Sequence, residues 1–210
     1  MTAPSRLLSV AALLAIVFFV GVDTDAAREP DRDTRQSSLA GRLLVATPDL
    51  EDPNFRQTVV YMIQHDDDGA MGLVVNRVLG SGPLDDLLEG LGIDAEGEAD
   101  VEVEVHYGGP VEAGRIFMLH TPDYHSEDTT VVSNLAALTV TPEILRDIAA
   151  GKGPRRSLFA LGYAGWAPHQ LEDELAVGAW VVVEADEALL FDREADTKWQ
   201  RAFDRRGIDL

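Results

Sequence analysis

Thr-Val-Val-Tyr-Met-Ile-Gln-His-Asp-Asp-Asp-Gly-Ala-Met-Gly-Leu-Val-Val-Asn, residues 58–76, is the stretch whose reading decides the fold. Residues 58–64 are rich in β-branched and aromatic side chains, which suit a pleated, half-buried surface. The run 65–69, His-Asp-Asp-Asp-Gly, has the composition of a turn, and residues 70–76 are again mostly apolar. Two such segments about a short polar turn predict an antiparallel β-hairpin.

Working outward, residues 42–46 read as a short buried strand and 47–55 as a loop, because Pro48 and Pro53 each bias the preceding residue to extended geometry. Leu84, Leu87, Leu88 and Leu91 recur at helical spacing, with Pro83 in the first turn and Gly92 as the stop. Residues 101–105 alternate as a half-exposed strand does. Residues 115–120, 129–132 and 136–140 are further strands, and 157–161 and 180–184 read as central ones. Thr141-Pro142-Glu143 supplies a cap, a proline and an acid for a helix that Gly151 ends. Trp199, Ala202, Phe203 and Arg206 mark a last helix closed by Gly207. Strands outnumber helices, cluster in hairpin-like pairs and do not alternate regularly with helices, so an α+β domain on a mainly antiparallel sheet is expected.

With 210 residues and 46% hydrophobic content, the chain holds one substantial core. Its formal charge of −20, from 37 acidic against 17 basic side chains, repels phosphate backbones, and no direct nucleic-acid binding is expected. The densest basic patch, Lys152, Arg155 and Arg156, reads as a solvated loop. Residues 7–22 are uncharged and mostly apolar; sixteen residues rise about 24 Å, short of a hydrocarbon core of about 30 Å, so they suit an export signal or amino-terminal anchor. The expected organisation is a targeting segment at 1–26, a linker at 27–38 and one domain at 39–210, exported or held on the periplasmic side of the inner membrane, with membrane contact only through residues 7–22. Cysteine is absent, which removes disulfides, thiolate metal sites and cysteine nucleophiles.

Candidate chemistry concentrates in Leu-Gly-Tyr-Ala-Gly-Trp-Ala-Pro-His-Gln-Leu-Glu, residues 161–172, where glycines permit close backbone approach and aromatics offer wide apolar faces with polar tips. There Gly162, Tyr163, Gly165 and Trp166 are read as shaping a turn, with a short helix starting at Pro168. His169 has the chemistry of an acid or base, Glu172 of its orienting partner and Gln170 of a donor. Ser157 lies upstream, and no nucleophile is evident beside them. His120, Asp123 and His125 could meet one metal only through matched loop orientation. Asp66, Asp67 and Asp68 lack the spacing of a calcium loop, and Gly80-Ser81-Gly82-Pro83 reads as a flexible turn. No metal, cofactor or catalytic set is therefore assigned.

Several ordered motifs carry a resemblance: residues 41–48 (Gly-Arg-Leu-Leu-Val-Ala-Thr-Pro), 52–55 (Asp-Pro-Asn-Phe), 69–77 (Gly-Ala-Met-Gly-Leu-Val-Val-Asn-Arg), 107–111 (Tyr-Gly-Gly-Pro-Val) and 161–172. Together they resemble the AlgH/YqgE family of bacterial proteins, from about Leu39 to the carboxyl end, with Lys198-Trp199 and Gly207-Ile208-Asp209 included. The resemblance implies a strongly curved, barrel-like sheet flanked by helices, usually in a cytoplasmic protein without a defined biochemical activity; a regulatory role in exopolysaccharide synthesis is attached to the name. It also implies site roles for Gly108, Gly109, Pro110, Gly165 and Trp166. Val78 departs from a proline usual at that place, and Ala167 and His169 stand where glycines are common.

The expected function is a noncatalytic binding or indirectly regulatory domain with an unidentified small molecule or protein as its partner. Asn54, Phe55, Asn76, Arg77, Tyr107, Gly108, Gly109, Tyr163, Gly165, Trp166 and Gln170 are predicted to approach one another, with Pro110, His169 and Glu172 as further ligand-binding candidates. A hydrolase using His169 or His120 with nearby carboxylates predicts a deep pocket and a perturbed histidine. A protein-interaction module predicts an exposed apolar patch around Trp166.

Overall fold

The computed structural model describes residues 38–93 and 101–207, so the expected targeting segment and all but the last residue of the linker lie outside the described residues. The elements in chain order are β1 (Arg42–Ala46), β2 (Val59–Asp66), β3 (Gly69–Val74), β4 (Val78–Pro83), α1 (Leu84–Gly90), β5 (Glu102–Tyr107), β6 (Val111–His120), β7 (Thr129–Val131), β8 (Ala137–Thr139), α2 (Glu143–Ala149), β9 (Ser157–Trp166), α3 (Gln170–Ala176), β10 (Trp180–Glu184), α4 (Glu187–Phe191) and α5 (Ala195–Phe203). The hairpin forms as β2 and β3, paired from Val60↔Val74 to Asp66↔Gly69. The turn is shorter than composition suggested because β2 continues through His65 and Asp66.

The strands make a mostly antiparallel, curled half-barrel sheet with the order β10-β1-β2-β3-β9-β6-β8-β7. Residues 58–76 read as nearly continuous apolar runs because both faces of this sheet are covered. Leu43, Val45, Val59, Tyr61 and Leu73 face one cluster, closed by Leu189 and Leu190 of α4 and Ala202 of α5. Leu44, Val60, Met62 and Val74 face another, closed by Leu171 of α3. A third cluster joins α1 and α2 to β5 through Leu84, Leu88, Val103, Ile144, Leu145 and Phe159.

β9 is the spine of the sheet. One edge pairs with β6. The other pairs antiparallel with β3 near its end, Ala70↔Trp166 to Gly72↔Ala164, and parallel with β5 nearer its start, Val105↔Phe159 to Tyr107↔Leu161. The chain forks where Gly108 sits, donating to Leu161 O at 2.8 Å and accepting from Val74 N at 2.9 Å. A Cβ on Gly108 would fall 2.2 Å from Gly162 O, and one on Gly109 (φ +152°) 2.1 Å from the Tyr163 carbonyl carbon. These two glycines are what allow the backbones to meet.

Four expectations are corrected. Residues 161–166 are the second half of β9 rather than a turn, since strand pairing on both edges overrides the glycines. Gly80-Ser81-Gly82-Pro83 lies in β4, paired with β5, and is not a flexible turn; Val78 opens that strand opposite His106. β10 pairs with β1 at one end of the sheet order; it reads as central because Val183 and Val182 pack into clusters on opposite faces. Thr141 makes no cap bond to α2, and its Oγ1 is buried without a hydrogen-bond partner among the described residues.

Gly109→Ala is expected to cost at least about 3 kcal/mol, because a methyl group has no space against the Tyr163 backbone. Gly80→Ala, with open space around the new carbon, should stay within about 0.5 kcal/mol. Chemical denaturation of both variants checks the contrast.

Candidate functional site

Residues 47–57 form a surface loop held at two points. The first is Arg77, whose Nη1 donates to the carbonyls of Pro53 (3.1 Å) and Asn54 (2.8 Å) and whose Nη2 donates to that of Arg56 (2.8 Å). A planar guanidinium presents several donors in a rigid fork, so one side chain gathers three carbonyls of a single turn. Its charge lies 5.8 Å from the Tyr107 ring, and the Tyr107 hydroxyl donates to Asn54 Oδ1 at 3.2 Å. Asn76 adds two bonds, accepting from Val59 N and donating to Gln57 O, each within 2.9 Å. That second bond steadies Gln57, a non-glycine residue at φ +55°.

Phe55 is the other anchor. Its ring stacks on Trp166 at 6.2 Å and meets Trp180 edge-on at 5.7 Å. Both indole N–H groups, at 2.9 and 2.8 Å, donate to Glu174 Oε2, and Gln170 Nε2 donates to Oε1 at 2.9 Å. α3 thus supplies one carboxylate that satisfies two buried tryptophans, the charge strengthening each bond. The Gln170 side-chain oxygen in turn accepts from Ala167 N. Glu174 and Trp180 were not singled out in the sequence; two indole donors beside an acid-rich helix were the available signal.

The predicted convergence is therefore partial. Asn54, Arg77 and Tyr107 meet, Asn76 holds the same loop at Gln57, Phe55 stacks on Trp166, which Gln170 joins through Glu174, and the Asn54–Phe55 peptide links the groups. Tyr163 points to the other face of β9, edge-on to Phe117 at 5.5 Å, because side chains alternate along a strand. Burial, the largest influence on it, pushes the Tyr163 hydroxyl pKa up. Gly108 and Gly109 are buried in the strand fork, while Pro110 and Gly165 are exposed. Trp166 is only 6% exposed, so its ring is not itself part of an exposed apolar patch.

His169 and Glu172 do not pair. Glu172 Oε1 bonds His65 Nε2 at 2.8 Å, and His65 Nδ1 accepts from Leu39 N. A hydrogen bond from its own backbone N–H is the leading cause that lowers the Glu172 pKa. His169 is exposed and stands at φ +65° before α3, the left-handed geometry a glycine adopts without strain. Ser157 lies at the opposite end of β9 from it, in register with His120.

His120 is fully buried. Its Nδ1 donates to Thr121 O, which makes Nε2 the acceptor from Thr139 Oγ1, both at 2.9 Å. Burial, the leading cause, lowers its pKa. Asp123 accepts from Arg155 N, and among the described residues no group of three or more histidines or carboxylates is placed to hold a metal.

A cleft of about 250 Å³ lies elsewhere, between β5, the start of β9, α2 and α4. Arg155 and Arg156 line it and share Glu187, so this basic pair is organised by an ion pair rather than free in a loop. His106, 5% exposed, lines it too. Burial first, and the Lys198 charge second, push the His106 pKa down to about 4. Lys198 itself is buried against the carbonyls of Leu190 and Asp192, and burial pushes its pKa down to about 8. Alternation along β5 pointed His106 inward; the distance in sequence between β5 and residues 155–156 hid the cleft.

Sheet and site together define an α+β half-barrel domain whose polar and aromatic residues hold a loop against its sheet. The AlgH-like family profile, a domain family of uncharacterised function, matches residues 43–210, and the chain belongs to that family. It is 49% identical over 172 residues to an UPF0301 protein of Caulobacter vibrioides, covering 81% of this chain and 88% of the relative. An UPF0301 protein of Afipia carboxidovorans is 43% identical over 196 residues, covering 90% and 93%. The solution structure of the AlgH protein of Pseudomonas aeruginosa matches with a TM-score of 0.69 at 37% identity, over 89% of this chain and 94% of that one. A crystal structure of a Corynebacterium diphtheriae protein shares the fold, with a TM-score of 0.62 at 19% identity over 80% and 87%. Among the described residues no helix is long and apolar enough to cross a membrane.

Arg77→Lys should release loop 47–57, since a point charge cannot replace the three-carbonyl fork; a loss of about 1–3 kcal/mol is expected, with faster hydrogen exchange at the Phe55 and Thr58 amides. His169→Gly is expected to raise stability by about 1 kcal/mol by relieving the left-handed backbone, read as an increase in denaturation midpoint.

Proposed function

We propose that this protein is a noncatalytic binding domain with an indirect regulatory role, acting through the surface of loop 47–57. The observation that carries the reading is the three-carbonyl grip of Arg77, which fixes an exposed loop in one shape before any partner arrives. A loop ordered in advance loses less conformational entropy on association. Its exposed residues include Asp49, Glu51 and Asp52 against the single cation of Arg56, which suits a partner presenting basic groups. The overall charge of −20 argues against direct contact with nucleic acid. We place the domain beyond the inner membrane on the charge pattern around residues 7–22, with the cytoplasm, the usual setting implied by the resemblance, as the alternative.

The hydrolase reading has less support. His120 has both ring nitrogens engaged, and the carboxylate nearest in sequence to His169 is bonded to His65. A chemical-shift perturbation screen of the full chain against metabolites, nucleotides and divalent metals, run beside ester and phosphoester hydrolysis assays, tests the proposal. Saturable shifts in or beside loop 47–57 without turnover are expected. Turnover that disappears in His120→Ala or His169→Ala would overturn it.

A further inference from the structure

The cleft beside β5 shares no residue with the loop surface, and what it implies stands whether or not the reading above holds. Three arginines line it, Arg155, Arg156 and Arg193, in a chain whose acidic residues outnumber its basic ones by 37 to 17. Arg155 and Arg156 use one nitrogen each, Nη2 and Nε, to hold the Glu187 carboxylate at 2.8 and 3.1 Å. The rest of each fork is not taken up by that carboxylate, and the pair already demonstrates the geometry that grips an oxyanion. Arg193 reaches only the Glu102 carbonyl, at 3.5 Å, and among the described residues no carboxylate lies within ion-pair distance of it.

His106 stands on the same wall: it is 5% exposed and lines the cleft, with Nδ1 closed off from solvent, so its ring reports on the cleft without offering that atom to it. Val103, Leu158 and Phe159, each at most 6% exposed, provide the apolar floor. At about 250 Å³ the cleft falls below the roughly 300–1,000 Å³ typical of sites for drug-sized ligands, which excludes dinucleotides and other large molecules. Glu102 and Glu104 on one wall repel a polyanion and leave room for a single anionic group on the arginine side.

We propose that this cleft binds a small metabolite bearing one oxyanion, a carboxylate or a phosphate monoester on a short apolar body, with the anion against Arg155, Arg156 and Arg193 and the apolar body on the floor of Val103, Leu158 and Phe159 beside His106. The two sources of that oxyanion are separable with simple probes. Full-length protein is titrated with benzoate and with inorganic phosphate at constant ionic strength, potassium chloride serving as control, while histidine ring nitrogens are followed by NMR.

A saturable shift at His106, with the rings of His125 and His169 unmoved, is the expected result; a response to benzoate alone assigns a carboxylate, to phosphate alone a phosphate monoester, and to both a general oxyanion site. Arg193→Gln, at an exposed position that leaves the fold intact, should weaken binding about tenfold, the discrimination of one charged contact. An equal shift with chloride, no shift with either anion, or binding unchanged in Arg193→Gln would each overturn the proposal.

Discussion

Close backbone contact between the Gly108–Gly109 segment and β9 is the constraint on which the rest of the structure depends. Two strands, β3 and β5, compete for one edge of β9, and they share it only because Gly108 and Gly109 present no side chain where the chains cross. Gly162, at φ +70°, turns β9 at the same level, and a Cβ there would lie 2.4 Å from Gly109 O. The curl of the half-barrel, the burial of both faces of β1 to β3 and the separate cluster beneath α1 and α2 all follow from this fork.

The fork also positions the chemistry. Tyr107 stands just before it, within reach of Arg77 and Asn54, while His106, one residue earlier on the alternating strand, is buried on the cleft side. Adjacent residues of β5 therefore serve two different surfaces, as strand geometry requires. Trp166 ends the other half of β9, under Phe55 and beside Trp180. A change that shifted β9 against β5 would disturb both surfaces together.

Most individual elements were legible because local chemistry agrees with the fold: the apolar runs of β1 and β2 and the leucine spacing of α1 with Gly92 as its stop gave the right element within a residue or two, and the spacing of α5 gave the helix, although it ends at Phe203 and not at Gly207. Two errors share one cause. Residues 80–83 and 161–166 are glycine-rich and read as turns, yet both are strands, because ladder pairing across a long sequence separation supplies the order that glycine lacks. The site was half legible for a related reason. Polar and aromatic type picked out Arg77, Asn54, Phe55 and Trp166, but type carries no information about which face of β9 a residue occupies, so Tyr163 was grouped with residues on the far side of the sheet. Glu172 was assigned to its neighbour His169, whereas its partner His65 comes from β2.

What the sequence by itself determined is the α+β class, the antiparallel hairpin, the family and the exclusion of cysteine chemistry, since these rest on local propensity, residue order and composition. The tertiary structure alone decided the fork at β9, the joint hold of Arg77 and Phe55 on loop 47–57, the union of Trp166 and Trp180 on Glu174, and the meeting of His106 with Arg155 and Arg156. The physical reason is that each of these is a contact between segments tens of residues apart or a choice between two faces of one strand. Side-chain periodicity specifies alternation along a strand, while the strand's neighbours specify what each face meets.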